Sequence, residues 1–156
     1  MYKMERTTNN AKETQDLAIA LAKKTIKEEG KSAKVIGLVG NLGTGKTTFI
    51  QAFAKALEVK ENVLSPTFVI EKIYRLKDQG NFSHLIHIDA YRLSDPKELE
   101  SLGWDEIIEN PKNIILVEWA LNIEKILPKD SIKIKIEHLG NDKRKISIIE
   151  KNKNEK

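Results

Sequence analysis

The stretch Gly40-Asn41-Leu42-Gly43-Thr44-Gly45-Lys46-Thr47 constrains this chain more than any other. It has the form G-x-x-x-x-G-K-T. It follows directly on the apolar run Val35-Ile36-Gly37-Leu38-Val39 and leads into Phe49, Ile50, Phe53, Ala54 and Leu57 at helical spacing. A strand, a glycine-rich loop and an amphipathic helix in that order make a phosphate-binding loop. Glycines let successive main-chain N–H groups turn inward on one anion, and the helix behind them adds unpaired donors and about half a positive charge. Lys46 then supplies a mobile point charge for the β- and γ-phosphates. The Thr47 hydroxyl is placed one residue later to ligate Mg²⁺, while Thr48 reads as an ordinary helix residue. A chance glycine-rich turn ending in Lys-Thr would lack the matching strand and helix on either side.

The remaining composition narrows the class. At 156 residues the expectation is one domain over residues 1–150, with no room for a second catalytic domain. From Lys151 onward only Lys, Asn and Glu remain, which predicts a disordered tail over 151–156. The chain has no cysteine, so disulfides, thiolate metal sites and cysteine nucleophiles are excluded. The first residues are charged and no apolar run approaches the length of a membrane span, so a cytoplasmic protein without a membrane partner is expected. A net charge of +4 arises from 27 basic against 23 acidic residues. That balance hints only weakly at direct contact with nucleic acid, and the scattered lysines read as a solvated face.

Along the chain, Leu17, Ala18, Leu21, Ala22 and Ile26 predict a helix from Thr14 to Glu29, stopped at Gly30. Thr14 either caps that helix or overhangs the nucleotide. After the P-loop helix, Pro66 biases Ser65 towards extended geometry, so Thr67 sits on a stiff approach to a strand running from Phe68 to Tyr74. Lys77 to Asn81 reads as a turn and Phe82 to Asp89 as the returning strand of an antiparallel hairpin. Period-two alternation sends Leu85, His87 and Asp89 to one face and His84, Ile86 and Ile88 to the other. His84 and His87 therefore do not converge on a metal, and His87 reads as an ordinary strand histidine or as a partner of a neighbouring ligand.

Two apolar runs end in an acid. Asp89 closes the first, and strand ends of this kind border a nucleotide crevice, where an acid holds magnesium or the attacking water. Glu118 closes the second, Ile114-Ile115-Leu116-Val117, whose four aliphatic residues suit a strand buried on both faces. Glu118 thus reads as an acid on the Mg²⁺ side. Trp119, next to it, either packs beside the base or closes the core. Between these runs, Asp95-Pro96-Lys97-Glu98 predicts a short helix carrying Leu99 and Leu102, followed by a second over Trp104 to Ile108. Ile132 to Ile136 alternates as a half-exposed strand, and Lys145 to Ile149 forms a last one. The fold class that follows is α/β, a P-loop NTPase-like three-layer fold with a mixed, largely parallel central sheet and an antiparallel hairpin.

Four blocks stand in one order: Gly40 to Phe49, Ser65-Pro66-Thr67-Phe68, His87-Ile88-Asp89-Ala90-Tyr91-Arg92-Leu93, and Leu116-Val117-Glu118-Trp119. In order and spacing they resemble the TsaE family, formerly YjeE, the small bacterial P-loop ATPases of tRNA threonylcarbamoyladenosine synthesis. The likeness runs from about Thr14 to Ile136. Asn41 departs from it where an acid is usual, and Thr44 where alanine is common; altered affinity or turnover is the expected result. The resemblance implies ATP and Mg²⁺ as cofactors and assembly with TsaD and TsaB, with tRNA reached through that complex. By motif matching, Gly43, Thr44, Gly45, Lys46, Thr47 and Thr48 carry over as the ATP-phosphate site, and Thr47 with Glu118 as the Mg²⁺ side. Asp89 carries over as the acid of hydrolysis, Thr67 as a γ-phosphate sensor, Trp119 as a neighbour of the base and Thr14 as a nucleotide contact. Lys46, Asp89 and Thr67 are therefore the catalytic candidates.

The chemistry expected is in-line attack of water on the γ-phosphate, with Lys46 and the loop amides absorbing charge. Spacing assigns no arginine finger, so a slow ATPase quickened by partners is expected. Two alternatives are a small-molecule P-loop kinase, which would need an arginine-rich lid not found here, and a nucleotide-dependent binding module with negligible turnover.

Overall fold

The computed structural model describes residues 2–40, 45–61, 63 and 70–151, and everything below concerns these. Seven strands form one sheet: β1 (Tyr2–Thr8), β2 (Lys34–Val39), β3 (Glu71–Gln79), β4 (Phe82–Asp89), β5 (Asn113–Glu118), β6 (Ile132–Gly140) and β7 (Lys143–Glu150). Their order across the sheet is β1-β7-β6-β2-β5-β4-β3. The four central strands β6, β2, β5 and β4 run parallel, while β7 and β1 on one side and β3 on the other are antiparallel to their neighbours. The α/β class, the mixed sheet and the β3–β4 hairpin all match the expectation from sequence.

Helices cover both faces, giving three layers. On one face α1 (Ala11–Thr25) and α2 (Lys46–Ala56) set Leu17, Leu21, Phe49 and Phe53 against Ile36, Leu38, Leu85, Ile114, Leu116 and Ile134. On the other, α3 (Lys97–Glu100), α4 (Trp104–Glu109) and a 3-10 segment (Ala120–Ile126) set Leu99, Trp104 and Ile123 against Val35, Ile86, Ile88, Ile115 and Val117. Every residue of β5 is buried, as four consecutive aliphatics at the centre of a doubly covered sheet require. Each large aliphatic or aromatic side chain so buried contributes about 1.5–3 kcal/mol. Trp104 closes the second layer, its indole N–H donating to Ile126 O at 3.3 Å.

Several boundaries differ from the reading of the sequence. The first helix begins three residues earlier: Asn10, not Thr14, is its cap, with Asn10 Oδ1 accepting from Glu13 N at 2.9 Å. It ends at Thr25, short of Gly30, where Lys23 and Lys24 complement the helix dipole. The hairpin strand β3 starts at Glu71 and continues through Lys77 and Asp78, so the turn narrows to Gly80 and Asn81. The pairing shifts register between Arg75 and Gln79. Strand β1 was not foreseen. Its side chains are mostly exposed, and it is held by in-register pairing to β7 from Tyr2 with Glu150 to Thr8 with Arg144. The N-cap of α3 is Pro96, one residue after the expected Asp95, although Asp95 Oδ1 accepts from Lys97 N at 3.0 Å and Glu98 reaches back to Ser94. Of the tail expected over 151–156, residues 152–156 lie outside the described residues.

Candidate active site

The carboxyl ends of the four parallel strands set the site's position, because that is where an open α/β sheet leaves a crevice. Strand β2 ends at Val39, and α2 begins at Lys46 behind Gly45, which takes φ 101° as the helix's N-cap. That left-handed conformation suits a residue without Cβ. Lys46 is buried, and its Nζ donates to Gly40 O across the neck of the loop. The same ammonium stands 3.5 Å from the centroid of the Trp119 ring, a cation–π contact. Burial pulls the Lys46 ammonium below the ordinary lysine value, and the carboxylates of Glu118 and Asp89 partly offset that fall. Thr47 is exposed on the first turn of α2, Thr48 is half-buried, and Phe49 and Ile50 are buried. Only Thr47 of the two threonines therefore offers its side chain fully to solvent.

Asp89 and Glu118 close adjacent parallel strands and sit directly opposite each other in the pairing of β4 with β5. Both are buried, at 4% exposure each. Glu118 is in turn paired with Leu38 on β2, the strand that feeds the phosphate loop. His87, two residues before Asp89 and on the same face, places Nε2 2.8 Å from Glu118 Oε2. Asp89 Oδ1 accepts from Tyr91 N at 3.0 Å, an Asx turn that folds the chain away from the strand. The exit loops of the two strands are tied together. Ala90 N donates to Glu118 O at 3.0 Å, and Asn122 Nδ2 donates to Ala90 O at 2.8 Å.

Trp119 turns sharply after the strand, with φ 58°, a conformation uncommon for a bulky residue. The turn lays its ring against Lys46 on one side and Tyr91 on the other, with the ring centroids of the two aromatics 5.0 Å apart. Trp119 therefore stands against Lys46 and, half-buried, packs at the edge of the core cluster beneath α3 and α4. Arg144 escaped the reading of the sequence. From the start of β7 it reaches the phosphate loop, its Nε 4.0 Å from where a Cβ on Gly45 would stand. Its Nη1 donates to the carbonyls of Asn141 and Lys143. No motif signals it, because it belongs to a hairpin far along the chain from the loop it approaches.

Thr14 is 3% exposed, and its hydroxyl lies 2.8 Å from that of Thr8. The structure thus gives it a hydrogen bond joining α1 to β1. Gly43, Thr44 and Thr67 lie outside the described residues, as do Asn41, Ser65 and Pro66.

The donor set suits a hard cation. Mg²⁺ takes one or two protein oxygens and completes its shell with phosphates and water, and Glu118 with the Thr47 hydroxyl is that kind of pair. Among the described residues no group of three His, Cys, Asp or Glu side chains forms an all-protein metal cage, and no helix is long and apolar enough to cross a membrane.

A family profile described as "Threonylcarbamoyl adenosine biosynthesis protein TsaE" matches residues 8–146. The chain belongs to the TsaE family. Among TsaE relatives, the "tRNA threonylcarbamoyladenosine biosynthesis protein TsaE" of Bacillus subtilis (strain 168) is 40% identical over 148 residues, 95% of this chain and 86% of that protein. The Aquifex aeolicus (strain VF5) TsaE is 43% identical over 123 residues, 78% of this chain and 80% of that protein. The crystal structure of B. subtilis YdiB superposes with a TM-score of 0.73 at 35% identity, covering 94% of this chain and 84% of that one. The TsaE match begins at Thr8 and ends at Ile146, so it takes in β1's last residue, all of β6 and the first four residues of β7, Arg144 among them.

Proposed function

We propose that this TsaE-family chain supports formation of threonylcarbamoyladenosine on tRNA by binding and hydrolysing ATP with Mg²⁺, in the cytoplasm and in complex with TsaD- and TsaB-type partners. The names of its relatives support the pathway, and one observation carries the chemistry: Asp89 and Glu118 stand in register at the carboxyl ends of adjacent parallel strands, with Lys46 of the phosphate-loop helix among them. Two buried carboxylates side by side favour cations near them, and the Mg²⁺ that accompanies ATP is one.

In this reading Lys46 leaves Gly40 O and meets the β- and γ-phosphates, as Gly45 and the N–H groups at the start of α2 take the rest of the anion. Thr47 and Glu118 hold the Mg²⁺ side. A Mg²⁺ ion held there would supply charge neutralisation for the phosphates. Asp89 orients the attacking water and accepts its proton, with Thr67 sensing the γ-phosphate. Arg144 lends a second cation to the phosphates from the β6–β7 hairpin. Trp119 borders the nucleotide beside Lys46.

A reconstituted tRNA-modification assay with the partner proteins tests this directly. Asp89→Asn is expected to keep nucleotide binding and lose hydrolysis and repeated turnover, and Lys46→Ala to weaken binding. An Asp89→Asn protein with wild-type turnover would sink the catalytic assignment.

A further inference from the structure

We infer that His87 is a positioning residue which aims the Glu118 carboxylate at its cation through a single Nε2–H···Oε2 hydrogen bond. The inference rests on the reading of Glu118 as the acid of the Mg²⁺ side.

His87 is 1% exposed, with Nε2 at 2.8 Å from Glu118 Oε2, while Nδ1 has no hydrogen-bond partner among the described residues. An ionised carboxylate only accepts, so Nε2 carries the hydrogen, and Nδ1, a lone pair in the neutral ring, is left buried without a partner among the described residues. That arrangement has a desolvation cost which an aliphatic side chain would avoid. Aliphatics are what the rest of this face uses: Leu85 precedes His87 on β4, and Leu116, its direct partner on β5, is fully buried. Among the described residues one hydrogen bond accounts for an imidazole there, the bond to Glu118.

The pairing explains why this position reaches. Leu116 lies opposite His87 and Asp89 lies opposite Glu118, so His87 and Glu118 are diagonal neighbours on one face of parallel strands. That diagonal is within reach of long side chains. A carboxylate held at one oxygen loses its rotation about the last side-chain bond. A metal site with so few protein ligands depends on such outer partners. His87 does this without touching nucleotide, cation or water itself.

Two amide substitutions separate the ring nitrogens, because asparagine presents a nitrogen near the place of Nδ1 and glutamine near that of Nε2. The readout is the affinity for a fluorescent ADP analogue in EDTA and across a Mg²⁺ titration, with thermal midpoints to confirm folding. His87→Asn is expected to raise the Mg²⁺ concentration for half-maximal gain in affinity by about 10- to 100-fold and to leave the EDTA affinity unchanged. His87→Gln is expected to recover most of that loss. The inference is overturned if the Asn and Gln variants behave alike, or if the affinity in EDTA falls with the response to Mg²⁺. Should His87→Asn fail to fold, His87→Leu takes its place against His87→Gln with the same two outcomes. Glu118→Gln separates the two levels of the reading. A wild-type Mg²⁺ response in that variant overturns the cation assignment itself. A weakened response, with both His87 variants at wild type, overturns the role of His87 alone.

Discussion

Under the proposed function, Lys46 holds several contacts that cannot all persist once a triphosphate arrives. Its ammonium is committed to Gly40 O and to the face of Trp119, and burial already lowers its proton affinity. Lys46→Ala should weaken nucleotide binding by about 10- to 100-fold, the worth of a charge-assisted contact of roughly 1.5–3 kcal/mol, as a fluorescent-nucleotide titration would measure. The pH dependence follows from the direction of the shift. Between the lowered folded value and the ordinary lysine value, the unfolded chain holds this proton and the folded chain does not. Raising the pH through that window therefore stabilises the fold. Thermal midpoints of the free protein should carry a contribution that rises over those alkaline pH values, and Lys46→Met should remove it. Equal pH slopes in the two proteins would contradict the shift.

Trp119 reports on the same event. Its backbone strain of about 1–2 kcal/mol is the cost of turning a bulky residue left-handed to meet Lys46. Drawing the ammonium off the ring should change its emission. The chain has two tryptophans, and Trp104 is buried in the cluster against which Trp119 packs, so a Trp104→Phe protein isolates the signal. Nucleotide should shift Trp119 fluorescence in that protein, and the shift should vanish in Lys46→Ala.

At the scale of elements, the cap and a close approach carry separate predictions. Asn10→Ala should cost about 1 kcal/mol in denaturant unfolding, the worth of a side-chain cap, whereas Lys12→Ala on the exposed side of the same turn should cost almost nothing. Gly37, in the middle of β2, has no room for a methyl group: an added Cβ would stand 2.7 Å from Ala120 Cβ in the 3-10 segment after Trp119. Gly37→Ala should destabilise by about 1–3 kcal/mol, and adding Ala120→Gly should recover part of it.

These same elements mark what could be read from residues alone. β4, β5 and α2 were legible because burial stamps a period on them, with aliphatics in alternation, in an unbroken run, or three and four apart. β1 was not, because Lys3, Glu5, Arg6 and Thr7 are exposed and the strand is held by main-chain pairing, which leaves no mark on side-chain type. The 3-10 segment is too short to establish a period, and Thr14 resembled a cap because a threonine before an apolar stripe is the usual signal. The acids Asp89 and Glu118 were legible as strand ends. Their juxtaposition was not, since it depends on which strands become neighbours. His87's bond and Arg144's approach depend on the same long-range pairing.

For the whole molecule, the proposed division of labour is that the isolated chain binds nucleotide readily and turns it over slowly. Addition of TsaB- and TsaD-type partners should raise the ATPase rate; P-loop enzymes that receive an arginine in trans gain about 10³–10⁵-fold. An isolated chain that hydrolyses at full speed, with no response to those partners, would count against that division.

The register shift between Arg75 and Gln79 has a consequence away from the chemistry. As described, the sheet ends at β3, whose outward row of amides and carbonyls would otherwise template a strand from another copy. An irregular rail studded with Lys72, Arg75 and Lys77 fits poorly against its own image, in shape and in charge. Straightening and neutralising that rail should turn a freely dispersing protein into one that clumps as its concentration rises.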